Sequence, residues 1–173
     1  MALVRTLNGI TPRFGEDCFL AETAVVIGDV EMGAQCSIWY HAVVRGDVHR
    51  IRIGDRVNIQ DGAVLHCTYQ RAELTIGNDV SIGHRAIVHG CTIQDKVLVG
   101  MGAIVMDHAD IGSGSVIAAG AVVPQGAKVP PNSLMIGVPA KRVREVGEDL
   151  SVNEIERIAR NYLKYAGWYT TGT

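Results

Sequence analysis

The sequence predicts an all-β fold, a parallel β-helix of hexapeptide repeats closed by a C-terminal α-helix. The first observation is a six-residue spacing of aliphatic residues, which runs through Ile76, Ile82 and Val88 and extends along the chain in both directions. The second is a small or β-branched residue four positions after each of these anchors, as at Ala86 and Ala103. A fixed six-residue period is typical of a parallel β-helix, in which each hexad is a short strand and a turn.

A β-sandwich is the alternative all-β fold, but its strands alternate with a period of two and lack a fixed six-residue phase. In the β-helix the large anchor fills the interior and the small residue fits near a corner. Glycines that follow anchors, such as Gly77 and Gly83, are expected to give the turns a positive φ.

Residues 1–145 are predicted to form the β-helix domain, beginning with a cap over residues 1–19. Pro12 interrupts regular structure there, and Phe14 and Phe19 are expected to cover the open end of the first coil, as the ends of solenoids require. The coils are then expected to run from Leu20 for roughly six turns. They end where Pro130, Pro131 and Pro139 stop ladder hydrogen bonding.

Residues 146–173 are predicted to form a helical segment packed on the β-helix. From residue 151 the apolar spacing changes to three and four residues, which indicates an amphipathic helix. The apolar residues are Val152, Ile155, Ile158, Ala159, Tyr162, Leu163 and Ala166. Such a face must be buried, either along the solenoid or on a neighbouring subunit.

The composition favours a single cytoplasmic domain. The chain has 173 residues, 47% of them hydrophobic, and a formal net charge of −2. No basic surplus points to nucleic acid or to an anionic membrane surface, so neither is expected as a partner. No apolar run is long enough for a secretory signal or a membrane span. The four cysteines contain no CxxC pair, which fits a reducing compartment.

Two histidines are predicted to stack on one face of the coil. His66 directly follows the anchor Leu65, and His89 directly follows the anchor Val88. When the insertion after Cys67 is removed, the two histidines lie one full coil apart in the same column. Adjacent rungs are about 4.8 Å apart, so two outward imidazoles there can share one metal ion.

A third histidine, His84, follows its anchor Ile82 by two residues and is therefore expected around a corner, on the preceding face. It could converge with the other two histidines only across a subunit interface with closed cyclic symmetry. Three imidazoles would leave a fourth position open, as in catalytic zinc sites. Thiolates of Cys67 and Cys91 are an alternative source of metal ligands, although the strand alternation turns Cys67 away.

Three stretches of the sequence resemble the γ-class carbonic anhydrase-like family of left-handed β-helix proteins, and the resemblance covers nearly the whole chain. They are VVRGDVHRIRIGDRVNIQDGAVLH, IGNDVSIGHRAIVHG and VGMGAIVMDHADIG. The resemblance implies a homotrimer with zinc held at its interfaces by His66, His84 and His89, with Fe²⁺ or Co²⁺ as alternative metals. It also implies that a metal-bound hydroxide hydrates CO2 reversibly to bicarbonate.

The resemblance further implies roles for neighbouring polar residues. Gln60 and Asn58 match residues near the metal-bound water or bicarbonate, with Gln60 orienting the hydroxide, and Tyr162 matches a tyrosine that some members bring near the metal. A charged cluster at the subunit contact is implied for Arg45, Asp47 and Asp61.

The sequence departs from the active members of the family at the acids that shuttle protons. Val48 follows Asp47, and the loop after Cys67 carries one acid, Glu73, so His49 and Glu73 are the available substitutes. The missing acids leave open a catalytically weak metal-binding scaffold.

A second enzyme class also remains open. The stretch NSLMIGVPAKRVR resembles the closing motif of hexapeptide acyltransferases, in which His41 or His108 would be the base. A related alternative is a thioesterase that acts on coenzyme A thioesters.

Overall fold

The computed structural model describes residues 1–170, and for residues 149, 151, 152 and 170 the backbone alone. The chain forms a parallel β-solenoid followed by a helical segment. Its strands are β1 (Leu3–Arg5), β2 (Arg13–Phe14), β3 (Phe19–Leu20), β4 (Val25–Met32), β5 (Ser37–Ile38), β6 (Val43–Ile53), β7 (Asn58–Ile59), β8 (Val64–His66), β9 (Leu74–Ile76), β10 (Ser81–Ile82), β11 (Ile87–His89), β12 (Thr92–Ile93), β13 (Leu98–Val99), β14 (Ile104–Val105), β15 (Asp110–Ile111), β16 (Val116–Ile117), β17 (Val122–Val123), β18 (Lys128–Val129), β19 (Ser133–Ile136) and β20 (Lys141–Glu145).

One face of the solenoid is a sheet in the order β3-β5-β7-β10-β13-β16-β19, which β20 closes as an antiparallel edge. The other two faces form one sheet in the order β17-β14-β11-β8-β6-β9-β12-β15-β18, with β4 beside β6. Within this sheet β6 bends around a corner, since its first residues pair with β8 and its last with β9. The parallel β-helix predicted from the hexads is therefore confirmed.

The number of turns differs from the prediction. The first face stacks seven parallel strands from β3 to β19, so the solenoid has about seven turns rather than six. The segment predicted as a cap already forms part of the β-sheet, because β1 and β2 pair in parallel with β4. Phe19 does not cover the open end, since it precedes an inward anchor and therefore points outward, where its ring lies 5.1 Å from that of Trp39.

The interior is filled by the anchors that define the six-residue period. Ile38, Ile59, Ile82, Val99 and Ile117 form one buried column, each with no exposed surface. The small repeat residues are also buried, as the corner positions require: Ala24, Ala42, Ala63, Ala86, Ala103 and Ala121.

Gly28 adopts the predicted positive φ, 74°, but most of the glycines that follow anchors have a different role from the one expected. Gly83 does not adopt a positive φ. A Cβ atom there would lie 2.7 Å from the backbone nitrogen of Met101 on the next coil. Close stacking of successive coils therefore requires glycine at this position. The left-handed conformations at the turns are adopted mostly by other residues, such as Arg85 with φ of 57°.

The C-terminal segment begins with α1 (Glu148–Leu150), continues as a π-helical stretch (Ser151–Glu156) and ends with α2 (Arg157–Thr170). Its apolar side faces the solenoid, where Ile155 and Ala159 are buried. Tyr162 contacts Trp39 edge to face, with ring centroids 5.3 Å apart. In the described part of the chain, none of the helices is both long enough and apolar enough to cross a bilayer.

Candidate metal centre

His66 and His89 lie side by side at the ends of β8 and β11. The two residues are direct partners in the parallel register, as their phase after the anchors predicts. Their rings point outward because the adjacent anchors point inward, and His66 Nδ1 lies 3.1 Å from His89 Nε2. The structure thus places two imidazole nitrogens in direct apposition on one face of the solenoid.

A carboxylate holds each of these histidines at its far nitrogen. Asp47 Oδ1 lies 3.0 Å from His66 Nε2, and Asp107 Oδ1 contacts His89 Nδ1. Burial alone would raise the pKa of both carboxyl groups. For Asp47 the hydrogen bonds from Arg45 and His66 outweigh burial and lower the pKa. Both carboxylates are therefore ionised at neutral pH.

The paired carboxylates determine which nitrogens are free. An ionised carboxylate only accepts hydrogen bonds, so His66 carries its proton on Nε2 and His89 carries its proton on Nδ1. The two facing nitrogens, 3.1 Å apart, are then both unprotonated. Burial also lowers the pKa of His66, which favours the neutral ring. Two opposed lone pairs repel each other unless a cation lies between them.

This donor pair fits a metal ion that prefers imidazole. Two nitrogens bound tetrahedrally at about 2.0–2.1 Å would be about 3.3 Å apart, close to the separation found between His66 and His89. The carboxylate behind each ring is the arrangement that orients histidine ligands in metal sites. The pair accordingly provides two of the ligands that such an ion needs.

Asp107 was not singled out from the sequence, although it completes the site. Its second oxygen accepts a hydrogen bond from the Thr68 hydroxyl, and this bond lowers its pKa further. The carboxylate occupies space left by Gly90, where a Cβ atom would lie 2.6 Å from Asp107 Oδ1. The glycine after His89 is the signal in the sequence that could have indicated a close neighbour on the next coil.

His84 lies in a turn on a different face, as its phase predicts. Its Nδ1 is 3.0 Å from Asp61 Oδ2, and its Nε2 is 3.4 Å from the Tyr162 hydroxyl. Among the residues that the structure describes, no three His, Cys, Asp or Glu side chains come close enough together to hold a metal ion. His84 therefore stands apart from the pair within one subunit.

Gln60 and Asn58 lie on the face that leads to His84. Asn58 pairs with Ser81 in the register between β7 and β10, which sets Gln60 beside Gly83. Both amides are buried, and they form a chain of hydrogen bonds: Gln60 Nε2 donates to Asn58 Oδ1 at 3.0 Å, and Asn58 Nδ2 donates to Ser81 Oγ at 2.7 Å. The chain fixes the Gln60 side chain.

The three charged residues expected at a subunit contact are divided between two faces. Arg45 and Asp47 form an ion pair on β6, next to His66. Asp61 instead lies beside His84, with its Oδ2 3.0 Å from His84 Nδ1. Burial, followed by the charge of Asp61, raises the pKa of Tyr162 to about 12, so this phenol remains protonated at neutral pH.

An apolar ladder runs along the face that carries the histidine pair. It consists of outward side chains in direct register: Val43, Val64, Ile87, Ile104 and Val122. Val64 is 37% exposed and Ile87 is 38% exposed. A continuous apolar surface of this kind marks a contact surface in soluble proteins.

Two family models match the central coils. Residues 90–125 match the bacterial transferase hexapeptide (six repeats), and residues 73–106 match the hexapeptide repeat of succinyl-transferase. Both matches describe the repeat.

Comparison with whole proteins extends the similarity over nearly the full chain. A carbonic anhydrase of Geobacillus kaustophilus is 42% identical over 96% of this chain and 91% of its own length. The mitochondrial gamma carbonic anhydrase 2 of Arabidopsis thaliana is 37% identical over 94% of this chain and 61% of its own length. A crystal structure from Bacillus cereus, described as a candidate acetyltransferase, superposes with a TM-score of 0.95 at 39% identity and covers 99% of both chains.

Proposed function

Because the chain belongs to the γ-class carbonic anhydrase-like family of hexapeptide-repeat proteins, we propose that it catalyses the reversible hydration of CO2 to bicarbonate. The observation that carries this proposal is the pair of facing nitrogens of His66 and His89, 3.1 Å apart, each on a ring whose other nitrogen contacts a carboxylate. The relatives imply a metal cofactor, and zinc is our proposal for it, with Fe²⁺ and Co²⁺ as the alternatives to compare. When bound, such a metal activates water at neutral pH.

The third ligand in this proposal is His84 from a neighbouring subunit of a homotrimer. Two features support the assembly. Within one chain His84 points away from the pair, and Asp61 orients it at Nδ1. A metal would then bind at Nε2 in place of the 3.4 Å contact with the Tyr162 hydroxyl. The apolar ladder, with Val64 and Ile87 partly exposed, offers a surface that a second copy can bury. Closed threefold symmetry then gives three equivalent sites.

The remaining residues position the reactants. Gln60, held by Asn58, orients the attacking water, and the Tyr162 hydroxyl, 3.4 Å from His84 Nε2, lies beside the third ligand. Arg45 supports Asp47 and thereby His66, close to the proposed subunit contact.

Proton release needs an acceptor with a pKa near the working pH. The hydrogen bond from Arg50 lowers the pKa of Glu73 below its usual range, so this acid is poorly matched to that role. His49 is the other substitute for the shuttle acids of the family, and it lines the same surface cavity as Asp47, so we propose it as the proton acceptor on the ground of position.

The experiment that tests the proposal is stopped-flow CO2 hydration on anaerobic protein reconstituted with zinc or with ferrous iron. We expect hydration above the buffer rate, and we expect His84→Ala and His89→Ala each to lose most of the metal. Gln60→Ala should keep the metal and lose activity, since Gln60 hydrogen-bonds to Asn58 and is not one of the proposed metal ligands. Hydration at the buffer rate with both metals would end the carbonic anhydrase assignment.

Acyl transfer is the second candidate, and one observation favours it: the Bacillus cereus structure described as a candidate acetyltransferase has nearly the same fold over the whole chain. In that case the protein would consume acetyl coenzyme A in the presence of an amine or alcohol acceptor. Release of free thiol without an acceptor would instead indicate a thioesterase. Tight metal binding without either activity would indicate a scaffold.

We further propose a cytoplasmic location, supported by the four free cysteines.

A further inference from the structure

Two cysteines lie side by side at the N-terminal end of the solenoid, away from the histidines. In the parallel register Phe19 pairs with Ser37, so the preceding residues, Cys18 and Cys36, are neighbours on successive rungs. The hydrogen bond from the Phe19 amide to the Cys36 carbonyl, 2.9 Å long, joins the two rungs at this point. Adjacent rungs are about 4.8 Å apart, within the range of about 4.4–6.8 Å that disulfides span between Cα atoms.

The two thiols differ in access to solvent. Cys18 is half-buried, whereas Cys36 is 1% exposed. Cys18 Sγ lies 3.2 Å from the Gly33 carbonyl oxygen, and Cys36 Sγ lies 3.1 Å from the Gly54 carbonyl oxygen. These contacts hold both sulfur atoms at the same corner of the coil. A small oxidant can therefore reach Cys18 more easily than Cys36, which is buried next to it.

The environment also divides the thiols by acidity. A hydrogen bond from the Cys36 thiol lowers the pKa of Cys18 to about 7, against the opposing effects of burial and of Asp17 and Asp55. The same contact and burial raise the pKa of Cys36. Cys18 is therefore substantially a thiolate at neutral pH, and the thiolate is the form that reacts with oxidants.

The two other cysteines provide an internal comparison. Burial raises the pKa of Cys67 to about 12 and also raises the pKa of Cys91. Both thiols are buried and free. The chain therefore contains one half-buried thiol with a lowered pKa and a neighbouring thiol, and two further thiols that burial protects.

We propose that Cys18 and Cys36 form a peroxide-reactive dithiol, in which Cys18 is the nucleophile and Cys36 is the resolving thiol. The Cys18 thiolate attacks one oxygen of a hydroperoxide, the O–O bond breaks, and protonation of the leaving oxygen releases water or an alcohol. The Cys18 sulfenic acid is then attacked by Cys36 sulfur, which forms the S–S bond and releases a second water. The two sulfurs lose two electrons, and the peroxide gains them.

The disulfide would link the first two coils and could be reversed by an added dithiol. It involves none of the residues assigned to the metal centre, so the proposal stands independently of carbonic anhydrase activity. A site of this kind makes the N-terminal coils sensitive to oxidants while the metal centre is unchanged.

The test is treatment of the intact protein with a small excess of hydrogen peroxide, followed by alkylation under denaturing conditions and peptide mapping. We expect loss of two hydrogen atoms from the intact mass, a cross-link between Cys18 and Cys36, and full reversal by dithiothreitol. Cys67→Ser and Cys91→Ser, the matched controls, should oxidise as the wild type does. An intact mass and thiol count unchanged by peroxide, or a cross-link elsewhere, would overturn the proposal.

Three variants separate the two roles. Cys18→Ser should form neither a disulfide nor a sulfenic acid. Cys36→Ser keeps a hydrogen-bond donor beside Cys18, so the sulfenic acid should form and accumulate as a dimedone adduct. Cys36→Ala removes that donor. If this raises the Cys18 pKa by one unit from about 7, the thiolate fraction at pH 7 falls from about one half to about one tenth, and adduct formation should slow by about fivefold. A dimedone adduct in Cys18→Ser as abundant as in Cys36→Ser would assign the reactivity to another residue.

Discussion

Asp107 is the residue on which the geometry of His89 depends most directly. Its carboxylate accepts the Nδ1 proton of His89 and thereby leaves Nε2 free to bind a metal. Asp107→Asn keeps the shape but removes the charge that makes the imidazole a better donor. We expect metal affinity to fall by about 10–100-fold with the fold unchanged.

Competition with a chromophoric chelator measures this affinity. Asp110→Asn is the matched control, because Asp110 lies on the same coil but pairs with Lys128 at 3.6 Å. Metal affinity equal to wild type in Asp107→Asn would show that the carboxylate only packs against Gly90.

At the scale of single residues, the sequence predicted the stacked histidines but not their supports. The phase of His66 and His89 after their anchors determines the column, because the period is constant through both coils. The contact between Asp107 and His89 could not be predicted in this way, because it joins two successive coils and depends on the rotamer of the Asp107 side chain. Asp61, predicted at a subunit contact, lies beside His84 in the structure, and its place at a subunit contact stays a prediction.

Contacts between successive coils stabilise the strands, and one of them, the ion pair between Arg56 and Asp79, depends on pH. Arg56 donates to both oxygens of Asp79 on the next rung, at 2.7 and 2.9 Å, and this bidentate contact lowers the Asp79 pKa. A carboxyl group with a lowered pKa stabilises the fold above about pH 4, and that contribution is lost as the pH falls through the folded-state pKa.

We expect Asp79→Asn to cost about 0.5–1 kcal/mol at pH 7, a small value because both side chains are about a third exposed. The difference in unfolding free energy from wild type should shrink below pH 4. Urea titrations at fixed protein concentration across this pH range measure it. A difference that is constant with pH would assign the effect to packing instead.

The apolar ladder gives a second prediction for the elements. Ile87→Asp places a charge on the outward face of β11, where it cannot disturb the core but would be buried against a second copy. We expect the variant to sediment as a monomer. Thr92→Asp, at an exposed outward position on β12 of the same coil, should remain a trimer. If the Ile87→Asp variant is still a trimer, the apolar ladder is not part of the subunit contact.

The hexads predicted the strands well because each anchor fixes which residues point inward. The first strands were missed, since β1 and β2 lie in a segment whose sequence lacks the repeat and form only by pairing with β4. The role of Gly83 was misjudged for a related reason: a steric contact with the following coil cannot be seen in one hexad. The local hexad pattern therefore specifies the repeat strands, whereas contacts between stacked coils determine the first two strands and the need for glycine at position 83.

For the whole molecule, the proposal that two subunits share each metal gives a complementation test. His84→Ala keeps the pair but lacks the third ligand, while the double variant His66→Ala/His89→Ala keeps only the third ligand. Each homotrimer alone should bind little zinc. Neither chain has a defect in its solenoid, because all three side chains point outward.

Mixed trimers, formed by joint dissociation and reassembly of the two variants, should recover binding. With random mixing in equal amounts, an interface is intact when His84 comes from the double variant and the pair comes from the other chain, which occurs at about a quarter of the interfaces. Zinc stoichiometry measured after reassembly should therefore reach about a quarter of the wild-type value. Recovery is impossible if His84 and the pair act within one chain, so mixed trimers without zinc would refute the shared site.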